Sequence, residues 1–184
     1  MLGFSSLFND QLQIDVHALN DADNSIFIGV SALPRILFDD GGVDDAEDTQ
    51  VIVHELGHAL IYASSPDSNV GLERNAINEG VGNSLTTSYT RILKPSSNWA
   101  NVPSCDGHNE FWNGRVVISN KKYPDDLSAK LYQDAEIWSS SIMEVEIGLG
   151  RDLTHKILIE SSFFYHELMV MVQAVNYFYC QIVC

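Results

Sequence analysis

Basic residues are scarce: 10 Lys and Arg stand against 25 Asp and Glu, for a formal charge of −15. So acidic a chain argues against nucleic acid and anionic membrane as partners, because both demand cationic surface. It selects no substrate by itself. Long apolar runs are missing as well. No stretch reaches the roughly 18 residues that cross a bilayer. The opening Met1-Leu2-Gly3-Phe4-Ser5-Ser6-Leu7-Phe8 lacks the basic start and full apolar body of a secretory signal. Cysteine is limited to Cys105, Cys180 and Cys184, with no CxxC pair. The odd count leaves at least one thiol without a partner in the chain, and Cys180 with Cys184 has a spacing that seldom fits a disulfide. A bridge from Cys105 to the C-terminus stays open. There is no internal repeat and no low-complexity tract. What remains is 184 residues, 45% hydrophobic, which suits a globular protein of one domain or two small lobes around a cleft. Folding would bury about two-thirds of its unfolded surface.

Residues 54–58 read His-Glu-Leu-Gly-His. On a helix, His54 and His58 project from one face, where two imidazoles can hold one tetrahedral Zn²⁺. Glu55 sits beside the first ligand and can reach an activated water without ligating the metal, the position of a general base. The surroundings favour a helix. Acids at 44–48 suit an N-terminus, Val51, Ile52, Leu56, Leu60 and Ile61 recur near helical spacing, and Ser64-Ser65-Pro66-Asp67 ends the run. Glu79 lies 21 positions after His58, far enough for a turn and a second helix packed antiparallel on the first. Ala76, Ile77, Val81 and Leu85 supply the stripe for that packing, and Asn83 shares the face of Glu79. A His-His-Glu set leaves a fourth metal position open, as catalytic rather than structural sites do.

HELGHAL followed by AINEGVGN resembles the gluzincin zinc metallopeptidases of the thermolysin and fungalysin type. Two flanking segments extend the likeness. Asp23-Asn24-Ser25-Ile26-Phe27 resembles the family's substrate-binding edge strand, and Leu131 to Trp138 resembles a fungalysin element, so the resemblance runs from about residue 13 to about 166. It implies an α+β, thermolysin-like zincin fold with a small N-terminal β portion, central zinc helices and a mainly helical C-terminal lobe. It implies Zn²⁺ on His54, His58 and Glu79, Glu55 as base, Asn83 beside the first histidine, Tyr132 steadying an oxyanion, and Asn24 and Ser25 holding a polypeptide substrate. The family is mostly secreted, which implies an extracellular protein. Three positions depart from the family pattern. Asn83 stands for an aspartate, so the imidazole would receive no charged partner. Tyr132 stands for a histidine, and a phenol donates a hydrogen bond without a positive charge. Gln50 stands for a calcium-ligating aspartate, so calcium has no matching motif, although the acids at 39–40, 44–48 and 125–126 are of the type calcium takes. Those acids read more simply as solvated loops and helix starts.

Within one metallopeptidase domain the pattern predicts a β-rich part at 1–44 and zinc helices at 45–92. An irregular connection at 93–133 and a helical lobe at 134–184 follow. Strands are expected at 13–18, 25–30 and 35–38, and helices at about 45–64, 75–92, from Asp134 to Gly150, and from Asp152 to about Phe164. Trp99, Phe111 and Trp112 are expected to pin the connection. His108 reads as a structural loop histidine, and His155 and His166 as ordinary surface or core histidines. The apolar stretch 168–184 is open to three readings: buried helix, dimer contact for self-association, or non-native tail. Since only about fifty residues precede His54, fewer than a full catalytic domain of the family has, the chain reads as a partial one. The activity implied is zinc-dependent endopeptidase action. A catalytically weak zinc-binding scaffold, or a hydrolase of another amide or ester, are the alternatives.

Overall fold

The computed structural model describes residues 7, 11–18, 20, 24–29, 33–39, 41, 44–96, 99–102 and 114–183. His108, Cys105, Phe111, Trp112, Asp23, Asp40 and Cys184 lie outside them. Among the described residues, five helices and five short strands make a mixed α and β chain. Strands β1 (Gln13–Asp15), β2 (Ile26–Ile28) and β3 (Arg35–Leu37) form a sheet ordered β1-β3-β2, with β1 parallel and β2 antiparallel to β3. All three are shorter than the alternation suggested. β1 is wholly exposed, and only Ile36 and Phe38 gain deep cover, from Val51 of the first helix, so little packing extends the pairing further.

Helix α1 (Thr49–Ser64) begins later than the acidic run implied. A separate 3-10 turn occupies Asp45–Glu47, and Asp48, in extended conformation, caps α1 by accepting from the Gln50 amide at 2.7 Å. Glu47, Asp125 and Asp126 are solvated and Asp48 marks a helix start, as expected, but Asp39, Asp45 and Asp48 are buried, which corrects the reading of these three as solvated. Asp48 is held by its capping role, and Asp45 accepts from the Ser25 hydroxyl at 2.6 Å.

Helix α2 (Leu72–Leu93) packs antiparallel on α1. Gln50 near the start of α1 donates to Thr90, and its carbonyl accepts from Thr86, both near the end of α2. Midway the backbones meet: a Cβ on Gly57 would lie 2.9 Å from the Gly82 Cα. Ala76, Ile77 and Val81 are fully buried, each larger one contributing about 1.5–3 kcal/mol.

The connection is less irregular than expected. β4 (Asn101–Val102) pairs antiparallel with β5 (Arg115–Val116), two-residue strands too short to show a period in sequence. Helix α3 (Leu131–Leu149) starts at Leu131 rather than Asp134, so Tyr132 belongs to its first turn and not to the connection. α3 lies along α2 and delivers Trp138 and Ile142 to the main core. Hydroxyls of Ser139 and Ser140 donate to the Val117 carbonyl and moor β5 to α3. Trp99 lies beneath the Arg91 guanidinium at 4.8 Å. Helices α4 (Arg151–Ser162) and α5 (Met171–Val183) complete the lobe. The apolar C-terminal stretch is a half-covered helix: Met171, Ala174 and Phe178 are buried, while Val172, Val175, Tyr179 and Ile182 face outward. No helix among the described residues is long and apolar enough to cross a membrane.

Candidate metal centre

The antiparallel α1–α2 pair brings the three expected ligands together. His54 and His58 lie one turn apart on α1, their rings edge to face at 4.7 Å between centroids. Glu79 of α2 faces both: its Oε2 is 3.4 Å from His54 Nε2, and its Oε1 is 3.7 Å from His58 Nε2. The ligand atoms all lie within 4.8 Å of one another. Donors about 2.1 Å from a tetrahedral ion stand about 3.4 Å apart, so this spacing suits a single small divalent cation. Among the described residues no other group of His, Cys, Asp and Glu offers one.

Charge and burial favour the ligating forms. Burial pushes the His54 pKa down, with the neighbouring His58 and Arg115 adding to it against the pull of Glu79. A neutral imidazole is the form a metal requires. Burial alone would raise Glu79, but the close contact with His54 and the electrostatic pull of His58, His54 and Arg115 bring it down to about 2. The cause of the close fit is again small residues: a Cβ on Gly82 would meet the His54 ring at 2.8 Å. Thus α2 presents bare backbone to the imidazole.

Glu55 is buried one residue past His54, and its Oε2 has no hydrogen-bond partner in the protein. The three ligands and Glu55 line a cavity of about 660 Å³. Asn24 and Ser25 line it too, directly before the edge strand β2, and so does Tyr132. Asn83 departs from expectation. It is fully buried, yet neither its amide oxygen nor its amide nitrogen has a partner, and His54 Nδ1 has none either. The expected hydrogen bond between them is not made, because Gly82 rather than Asn83 lies against the ring.

Sequence reasoning missed Arg115. From β5 its Nη1 donates to Glu79 Oε2 at 2.6 Å and stands 3.2 Å from His54 Nε2, while its guanidinium lies 4.2 Å above the Tyr132 ring. No local spacing announces it. A smaller cavity of about 310 Å³ opens at the start of α2, but its carboxylates are engaged: Glu73 accepts from the Met171 amide and Asp134 from Ser128. No family model matches the chain, and no curated protein matches it.

Proposed function

We propose that the chain is a zinc-dependent endopeptidase. The observation that carries this reading is the meeting of His54, His58 and Glu79 on the wall of a 660 Å³ cavity, beside a carboxylate oxygen of Glu55 that has no partner. The resemblance of HELGHAL and AINEGVGN to thermolysin- and fungalysin-type gluzincins supports it. The donor set, two imidazoles and one carboxylate, fits Zn²⁺ with a coordination position left for water.

When bound, the metal supplies a Lewis-acid charge that acidifies water and polarises a carbonyl. The chain does the rest. Glu55 accepts the proton of the attacking water at its free oxygen and passes it to the leaving amine. Tyr132, and Arg115 stacked upon it, donate hydrogen bonds to the oxyanion that develops; Arg115 brings the positive charge a phenol lacks. Asn24 and Ser25, with the open edge of β2, hold the substrate backbone as an added strand.

One observation favours a second reading, a zinc-binding scaffold of weak activity. The Arg115 guanidinium bonds Glu79 and faces His54, so a cation of the chain itself competes for two of the three ligand atoms. Casein hydrolysis by wild type and Glu55→Gln, with zinc assayed on both, separates the readings. The peptidase reading expects one zinc per chain in each and activity in wild type alone, lower in the mutant by about 10²–10⁴-fold. Equal zinc with no activity in either would leave the scaffold.

A further inference from the structure

Arg74, in the first turn of α2, is only 1% exposed and lines the same cavity as the metal ligands. Its Nη2 donates to Ser68 Oγ at 2.8 Å. Its Nε and Nη1 have no hydrogen-bond partner. The guanidinium lies 5.1 Å from the Tyr165 ring centroid, which offsets part of its lost hydration but supplies no acceptor. No ion pair to Arg74 occurs among the described residues, although Asp67 lines the same cavity. A buried guanidinium with two idle donors is costly, and the usual resolution is an anion bound to it. Burial brings its pKa down to about 10, so it remains charged at neutral pH. A planar fork of donors matches a carboxylate above other anions available on a peptide.

We propose that Arg74 is the floor of a carboxylate-binding subsite in the metal cleft, reading either the C-terminal carboxylate of a peptide or an acidic side chain. Asn78, four residues on and next to Glu79, shares that wall. Arg74 precedes Glu79 by five residues, about 7.5 Å along the helix axis, which is the reach of about two extended residues. The carboxylate would therefore sit about two residues from the bond being cut. This inference rests on the peptidase reading and names its substrate class.

The test measures binding of short peptides to the zinc-loaded Glu55→Gln chain, so that cleavage does not intervene. A neutral sequence is compared as free acid and as C-terminal amide; in the amide, a single Glu or Gln is walked through every position. The proposal expects a carboxylate to tighten binding by about ten- to hundred-fold over its neutral counterpart. Preference for the free acid identifies the C-terminus as the source, and preference for Glu over Gln at one position identifies a side chain. Arg74→Met should erase the preference and Arg74→Lys should restore part of it. If Arg74→Met fails to fold, the acid-to-amide comparison on the unmodified subsite still decides. Acid, amide, Glu and Gln peptides binding alike, or a preference that survives Arg74→Met, would overturn the proposal. The two readings fail separately. Casein cleavage without carboxylate preference removes the subsite alone. Carboxylate preference in a wild type that cuts nothing removes the peptidase alone.

Discussion

At the scale of single residues, Tyr132 and Arg115 carry the most specific expectation. Tyr132 is half exposed at the cleft, with the Arg115 guanidinium upon its ring. If they donate only to the charge that develops during reaction, removing a donor lowers kcat and leaves KM nearly unchanged. Tyr132→Phe and Arg115→Met should each reduce kcat by about 10²–10³-fold, read from steady-state kinetics on a peptide substrate. A rise in KM with constant kcat would reassign them to substrate binding. Arg115 was hidden in the sequence because its position depends on β4–β5 pairing and on Val117 held by Ser139 and Ser140, more than twenty residues away. Arg74 was hidden for a similar reason: it lay before the helix expected at 75–92, and its cover comes from Tyr165, far along the chain. His54, Glu55 and His58 were legible because helical periodicity alone sets their common face.

At the scale of elements, the α1–α2 crossing makes the site. Gly82→Ala gains about 1 kcal/mol in helix propensity, yet its Cβ must displace the His54 ring from 2.8 Å, and overpacking costs about 1–3 kcal/mol. The clash should win. Zinc affinity, measured by chelator competition, should fall by about tenfold or more while helix content by circular dichroism stays unchanged. Unaltered affinity would show that the ring has room to move. The α2–α3–α4 lobe has its own tie at Glu146, which accepts from Arg91 at 2.9 Å and faces His155 at 3.2 Å. Burial pushes the Glu146 carboxyl up, but the close approach of His155 and Ser88 and the charge of Arg91 bring it below its ordinary 4.5. A depressed carboxyl stabilises the fold above pH 4.5, and that contribution disappears as pH falls through the folded value. Glu146→Gln should therefore destabilise the protein at neutral pH, with the gap narrowing in urea unfolding as the pH is taken below 4.5. A gap that stays constant with pH would deny the ionic tie. Element boundaries were partly legible. The stop after Ser64 and the antiparallel second helix followed from apolar spacing, whereas the 3-10 turn before Asp48 and the early start of α3 at Leu131 rest on backbone geometry that composition does not encode.

At the scale of the whole molecule, a small sheet, the antiparallel α1–α2 pair that carries His54, His58 and Glu79, and a helical lobe line one cleft, with an edge strand on one side and a buried guanidinium within its wall. The acidic balance of −15 was plain in the composition, yet the three buried aspartates near α1 were not, since capping and tertiary hydrogen bonds decide their burial. Everything proposed for the cleft depends on one metal held by two imidazoles and a carboxylate. X-ray absorption at the zinc edge, on chain purified without chelator and loaded with one equivalent, measures that most directly. The account predicts one tightly held zinc with nitrogen and oxygen neighbours at about 2.0–2.2 Å, two of them imidazole, and loss of an imidazole signal in His58→Ala. Zinc that does not bind the folded chain, or a spectrum unchanged in that mutant, would contradict it.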